Sequence, residues 1–318
     1  MDSKLNNDLS LKAILDRLET KRIDISSNIK FYSYLKKLSY LIVIVGIYYD
    51  YKIIAAVMFF LCFIFVLLGN ARTKGKLESY KEEYKSEVIP LALKQINKSL
   101  VFEPNNGVPH AALENSMLFT RVIDRFVTQD FIYGMQDKTA FCFSEVRAEF
   151  KSERQTNKGI VTKWYPIFQG IIFVVDFNKN FKVSTIVRSK EFGDDLGGWL
   201  SRNVFNSGNS ERVQLENASF NKEFTTYSKD QIEARYILTP KVIEGILKLN
   251  DKSDKTISLS FINSSLYVAL PLKADHFEAS IRTSLTGPDF FSEDRAIVQF
   301  MHDIVHELDL NTRIWGKE

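Results

Sequence analysis

Cysteine is scarce in this chain: two residues in 318, Cys62 and Cys142. That usage offers no disulfide framework and fits a reducing compartment. No CxxC pair and no Cys/His cluster of zinc spacing occurs. Net charge is low as well. The 42 Lys and Arg against 39 Asp and Glu leave a formal +3, so no strong overall field points to nucleic acid as a partner. The chain lacks a GxSxG elbow, a Walker phosphate loop and a GxGxxG turn, which removes the commonest sequence-legible enzyme classes. No cleavable leader is expected, because a long polar segment precedes the first apolar run and no small-residue cleavage site follows it. No internal repeat is evident.

What is present is a divided apolar block. Leu38 to Tyr49 reads LSYLIVIVGIYY and Ile53 to Gly69 reads IIAAVMFFLCFIFVLLG, with Asp50 and Lys52 between them. One helix over both would run roughly 48 Å, against about 30 Å of hydrocarbon. It would also bury two charges at mid-bilayer, at about 2.5–3.5 kcal/mol each. A hairpin removes both problems, because the charges then mark a turn at the far interface. We therefore expect a transmembrane helical hairpin at 38–69, with limbs 38–49 and 53–69 and a turn at 50–52. The first limb reaches only about 18 Å unless Phe31 to Leu35 join it while Lys36 and Lys37 snorkel. A re-entrant hairpin and a buried soluble hairpin are the alternatives. Lys and Arg flank the block on both sides and the turn holds only Lys52, which puts both ends and the bulk of the chain in the cytoplasm.

The flanks read as amphipathic helices. Leu11, Leu15, Leu18, Arg22, Ile25, Ile29 and Tyr32 alternate by four and three, an a/d seam with one charged member, in a coiled-coil-like helix over 1–37. Leu77, Tyr80, Tyr84, Val88 and Leu91 form a second stripe in a juxtamembrane helix over 70–102, which Pro90 kinks or restarts. The two stripes either pack antiparallel as a stalk, or self-associate, or pad the globular part.

Residues 103–318 read as a cytosolic α+β domain with a mainly antiparallel sheet and packed helices. EPNNGVPH at 103–110 is the joint, followed by a short helix near Ala111 to Phe119. Phe131 to Met135 and Thr139 to Phe150 form a hairpin, with Glu145, Arg147 and Glu149 on its wet end. KSERQTNKG at 151–159 reads as a polar loop. Ile167 to Phe177 is a central strand that turns at 178–180 into a partner strand at Phe181 to Val187. Residues 193–210 read as a loop carrying Trp199. Short strands follow near 212–216 and 223–227, then helices capped by Ser228 or Thr239. A hairpin turns at Asn263-Ser264, and a last helix starts at Ser292 with a core face of Ile297, Phe300, Met301, Ile304, Val305 and Leu308.

The order of two membrane segments, FSEVRAE (143–149), FQGIIFVVDFNKNF (168–181), YSKDQIEARYILTP (227–240), SLSFINSSLYVAL (258–270) and LDLNTRIWGKE (308–318) resembles the bacterial membrane family known as domain of unknown function 3137. The resemblance implies a bacterial inner-membrane protein with a cytosolic domain, encoded near LemA-type membrane proteins. It implies no activity and no catalytic residue.

Remaining motifs are weighed on their own chemistry. His302 and His306 in HDIVH lie one turn apart, and two such imidazoles can share a metal. The order is not HExxH and no third ligand is fixed, so a solvated helix flank is the plainer reading. Glu145 and Glu149 around Arg147 can act as acid and base, or as a partner-binding or ion-paired row. Arg313 and Trp315 near the C-terminus, with Trp199, are partner-binding candidates. No cofactor is implied. The expected function is a membrane-anchored, non-enzymatic adaptor or assembly subunit of a bacterial inner-membrane complex. It would contact the lipid bilayer and a protein partner, either itself or another membrane protein, possibly of LemA type, but no nucleic acid. An enzyme of unfamiliar type acting on a lipid or membrane-proximal substrate is the alternative.

Overall fold

The computed structural model describes residues 2–119, 121–157, 159–177, 180–190, 211–253, 257–287 and 290–310. Trp199, Arg313 and Trp315, the turn at 178–179 and the loop at 193–210 lie outside the described residues. The chain divides into two compact units. The first comprises Met1–Ile96 with Phe277–Ser292, the second Asn97–His276 with Glu293–Glu318.

The first unit is an antiparallel helical pair. Helix α1 spans Asp2–Tyr48 and α2 spans Lys52–Glu83. Neither breaks where its side chains change from polar to apolar. The turn between them places Asp50 at φ 63°, in the left-handed region that Asp tolerates better than most residues. The facing residues run in one continuous register. Tyr40 meets Phe59 and Tyr32 meets Phe65, at ring separations of 6.2 and 6.0 Å. Asp24 then pairs Lys76 at 2.7 Å, Lys21 pairs Glu83 at 2.6 Å and Arg17 pairs Glu87 at 2.6 Å. Gly69 makes one close approach possible: a Cβ there would lie 2.1 Å from the Tyr32 ring. This register sets Phe31 to Leu35 beside the end of the second apolar block, so the two apolar limbs match in length.

The seam buries as its spacing predicts at Leu11, Leu15, Leu18 and Ile25, while Ile29 is exposed. From the other helix, Tyr80, Tyr84 and Val88 are buried. Pro90 has no N–H to continue the α-helical ladder. The chain accommodates it with one π turn, Tyr84–Val88, in which the Ile89 N–H reaches the Tyr84 carbonyl, before α3 at Ile89–Ile96.

The segment from Phe277 to Ser292 belongs to this unit. It is fastened in part by the charged seam member Arg22 and its neighbour Glu19. Glu19 accepts from Arg22 at 2.7 and 2.8 Å, from the Leu285 N–H at 2.9 Å and from the Ser284 hydroxyl at 3.0 Å. Arg22 in turn donates to the Ile281 carbonyl at 2.8 Å, the Tyr80 hydroxyl to the Ser280 carbonyl at 3.1 Å, and Lys85 pairs Glu278 at 2.7 Å. A charged residue at an a/d position is thus explained by a strap that supplies backbone partners to it.

The second unit is built on an antiparallel sheet. Its strands are β1 (Val101–Glu103), β2 (Arg125–Gln136), β3 (Thr139–Thr156), β4 (Gly159–Asp176), β5 (Thr185–Ser189), β6 (Glu211–Val213), β7 (Phe224–Ser228), β8 (Ser258–Ile262) and β9 (Ser265–Pro271), in the order β1-β2-β3-β4-β9-β8-β5-β7-β6. The short helices are α4 (His110–Asn115), α5 (Ala218–Glu223) and α6 (Gln231–Ile237); the longer ones are α7 (Pro240–Lys252) and α8 (Ser292–Glu307). One face packs Val146, Ala148, Phe150, Phe168 and Ile172 against Leu113 and Leu118 of the segment around α4. The other buries Phe143, Phe173, Val268 and Phe261, and α8 lays His302 against the ring of Phe141 on it.

Several expectations need correction. The expected loop at 151–159 is largely strand: β3 runs to Thr156 and β4 starts at Gly159, paired from Thr156↔Gly159 back to Lys151↔Trp164. A two-stranded ribbon needs no buried face, so its polar sequence disguised it. The strand after 180 does not return along β4. β5 pairs β7 and β8, and the neighbour of β4 is β9. Ser228 does not cap a helix. Asp230 caps α6 by accepting from Ile232 and Glu233 N–H, while Thr239 caps α7 with Pro240 behind it.

Candidate functional site

Glu145 is the most conspicuous of the sequence candidates. Rather than facing water, it is 9% exposed. Two backbone irregularities bring this about. β2 slips register between Gln129 and Ile132, with Asp130 at φ 59°. Across the sheet, Gly170 adopts φ 150° and pairs Pro271, and a Cβ there would stand 2.2 Å from the Leu270 carbonyl oxygen. With β9 that close, the Leu272 N–H bonds Gln169 O at 3.1 Å. The chain beyond β9 then crosses the sheet, and the His276 N–H donates to Glu145 Oε1 at 2.5 Å.

Around that crossing lies a cavity of about 80 Å³, lined in part by Gln129, Glu145, Arg147, Gln169 and Asp275. Arg147 is half-exposed and pairs Asp275 at 3.0 Å. Burial pushes the Glu145 carboxyl up, the His276 N–H opposes that, and the nearby Asp275 charge adds to it. The His276 Nδ1 stands 3.4 Å from Asp294 Oδ1, and that hydrogen bond raises the imidazole above its ordinary value. The carboxyl and the imidazole are thus both shifted upward, the first chiefly by burial and the second by Asp294. The cavity, however, admits a group of a few atoms, well below the roughly 300–1,000 Å³ of common small-molecule sites. Glu149 is not part of it; Arg125 holds Glu149 at 2.9 Å. His276, Asp294 and Gln129 were not identified from the sequence. The signal available was the acidic-His pair Asp275-His276 just after a strand.

His302 and His306 do not converge. His302 is half-buried edge-on to Phe141 at 5.7 Å, and burial lowers its basicity. His306 is exposed and lines a separate concavity of about 420 Å³ with Lys241, Glu244 and Lys248. The neighbouring acids are turned to lysines: Asp303 to Lys252 at 2.7 Å, Glu307 to Lys248 at 3.2 Å, and Asp309 to Lys241. Among the described residues no group of three His, Cys, Asp or Glu side chains is placed to hold a metal ion. Cys142 is largely buried, and burial pushes its thiol up to about 11, so it is a poor nucleophile at neutral pH.

On the first unit, the helical stretch Lys52–Ile96 is, among the described residues, the one long and apolar enough to cross a membrane. No curated protein sequence matches the chain. A solved structure, the crystal structure of the mycobacterial trehalose monomycolate transport factor A, TtfA, is similar over 72% of this chain and 96% of its own, at 8% identity and a TM-score of 0.38. The sequence model of the family described as Protein of unknown function (DUF3137) matches residues 166–310, and over that stretch the chain resembles this family.

Proposed function

We propose that the chain is a membrane-anchored accessory protein without enzymatic activity, an adaptor or assembly subunit in a bacterial inner-membrane complex. The hairpin 38–69 holds it in the bilayer, and residues 1–37, 70–102 and 103–318 stand on the cytoplasmic side. One observation carries the reading. Between Leu38 and Leu68, twenty large apolar or tyrosyl side chains are at least 37% exposed, on two helices paired with each other. At half exposure these amount to on the order of 1,500–2,000 Å² of contiguous apolar surface, against about 300–600 Å² for the largest patch on a soluble monomer. The matched limbs support two crossings: 17 residues of α2 give about 25 Å, close to a hydrocarbon core. The exposed Lys36 and Lys37 snorkel, and the Asp50–Lys52 ion pair at 2.8 Å marks the far tip.

The test is two-sided labelling in a Cys62→Ala, Cys142→Ala background. Asp50→Cys reacts with an impermeant maleimide in intact spheroplasts, and Ser26→Cys reacts only after permeabilisation. Equal reactivity at both sites, or a chain that stays in solution without detergent, overturns the anchor. The adaptor role is tested by purification in mild detergent: a protein recovered at fixed stoichiometry supports it, and a solitary monomer opposes it. The second reading, an enzyme acting at the membrane, is favoured by the Glu145 cavity with His276 and Asp294. It requires turnover that Glu145→Gln removes.

A further inference from the structure

The β3–β4 hairpin continues beyond the sheet. β2 pairs β3 only as far as Arg125↔Glu149, and β9 pairs β4 only from Gly170 onward. From Phe150 to Thr156 and back from Gly159 to Tyr165 the two strands pair only with each other, about 20 Å of free ribbon. Apart from Phe150 at its root, no described residue of this ribbon is buried.

Its composition is neither that of a solvated loop nor that of a core. Residues 150–166 hold four basic side chains, Lys151, Arg154, Lys158 and Lys163, against one acid, Glu153. Apolar and aromatic groups are interleaved and open to solvent: Ile160 at 64%, Val161 at 45%, Trp164 at 40% and Tyr165 at 41%. Cross-strand partners share a face, and the two faces differ. On one, Lys151 stands opposite Trp164, which lies under the Arg125 guanidinium at 3.8 Å, and Lys151 pairs Glu153 at 3.2 Å. On the other, Arg154 is opposite Val161 and Lys163 opposite Ser152, next to Tyr165 stacked on Phe150 at 5.3 Å. Neither Arg154 nor Lys163 has an acidic partner among the described residues.

We propose that this ribbon is a second membrane contact, docking on an anionic bilayer surface. With the free β4 edge of the ribbon down, side chains of both faces reach the surface: the cations of Arg154 and Lys163 meet lipid phosphates while Val161 and Tyr165 from one face and Trp164 from the other enter the interfacial layer. Unpaired cations match the negative cytoplasmic leaflet, and Trp and Tyr favour the headgroup level. The formal net charge of only +3 argues against a nucleic-acid occupant, which stays an outcome of the test. The proposal rests on the hairpin lying in the same bilayer, and the test separates the two.

The full chain, with Trp199→Phe and Trp315→Phe, is placed in nanodiscs carrying brominated lipid, either purely phosphatidylcholine or with one third phosphatidylglycerol. Trp164 fluorescence is quenched in the anionic discs and not in the zwitterionic ones. Arg154→Gln with Lys163→Gln lowers the bound-to-free ratio of the ribbon about 30-fold. A parallel chain with Trp164→Phe and Phe60→Trp reports on the hairpin. Quenching at position 60 without quenching at 164 overturns the ribbon contact alone. Quenching at neither overturns the anchor, and the ribbon contact with it. Equal quenching of Trp164 in both lipids overturns the role given to charge. A Trp164 response to RNA in place of lipid, or disulfide formation between two Val161→Cys chains, assigns the ribbon to those partners instead.

Discussion

Replacing Glu19 by glutamine loosens the strap at 280–286 while leaving the sheet unchanged. The magnitude follows from the four hydrogen bonds the carboxylate accepts. They hold it down from an ordinary 4.5 to about 2, the Arg22 hydrogen bond being the largest cause and burial opposing it. At about 1.36 kcal/mol per unit, that is a ceiling of about 3 kcal/mol favouring the charged form at neutral pH. Not all of it belongs to the strap. Arg22 lies three residues along the same helix and stays beside Glu19 when the strap lifts. The Leu285 and Ser284 donors carry the remainder, which two charge-assisted hydrogen bonds set at about 1.5–2 kcal/mol. The assay is hydrogen exchange read by mass spectrometry on the full chain in detergent. Glu19→Gln speeds exchange of peptides covering 280–287 about 10- to 30-fold at pH 7 and leaves β3 and β4 peptides unchanged. The sign of the pH dependence is fixed. A folded value below the unfolded one contributes fully above 4.5 and is lost as pH falls toward about 2. Strap protection in the parent chain, corrected for intrinsic rates, therefore declines over that window, and the variant shows no such decline. Unchanged exchange at 280–287, or equal acceleration everywhere, refutes the reasoning.

Gly170→Ala costs about 3 kcal/mol or more, because its Cβ would lie 2.2 Å from the Leu270 carbonyl oxygen at φ 150°, whereas Gly159→Ala, at φ 117° with nothing within 4 Å, costs about 1 kcal/mol; denaturant melts that rank them equally would oppose this. With Cys62→Ala, the remaining Cys142 resists a water-soluble maleimide at pH 8, where a thiol at about 11 is only about one-thousandth ionised, and reacts at once in denaturant. His276 is raised, so its contribution is fully present below 6.5 and lost as pH rises through the folded value; Glu145, also raised, makes stability fall with pH from 4.5 upward. Melting temperatures of His276→Gln and Glu145→Gln across pH 4 to 9 should therefore each lose a different part of the alkaline decline.

Periodicity made the helical part legible. The four-three alternation at Leu11, Leu15, Leu18 and Ile25 is local information, and burial follows it. Asp50 and Lys52 marked the turn because a charge pair has no place inside an apolar helix. The pairing order of the sheet was not legible. β4 and the strand at 185–189 are close in sequence, and adjacency is the default assumption. What decides against it is the β8–β9 hairpin lying between them, joined through Phe173↔Val268 on one side and Val187↔Leu259 on the other. Such contacts lie roughly seventy to ninety-five residues away in sequence and leave no local trace.

The two misread polar stretches share a cause. Glu145 reads as water-facing because Arg147 and Glu149 beside it on the face are charged, yet a segment more than a hundred residues later crosses above it and donates the His276 N–H. Residues 151–159 read as a loop because no apolar face is visible, yet backbone pairing holds the chain extended as far as Thr156 and again from Gly159. In both, side-chain polarity was taken to report on backbone geometry. The backbone is instead fixed by hydrogen-bond partners, whose positions depend on topology. Regions where polarity and geometry disagree hold either a polar group buried at a cost or an apolar group exposed at a cost, and a folded chain keeps neither without a compensating contact. In the Glu145 cavity the compensating contacts are internal. On the ribbon, Ile160 and Val161 have no such cover among the described residues, which is why the ribbon, rather than the cavity, directs the search for a partner outward.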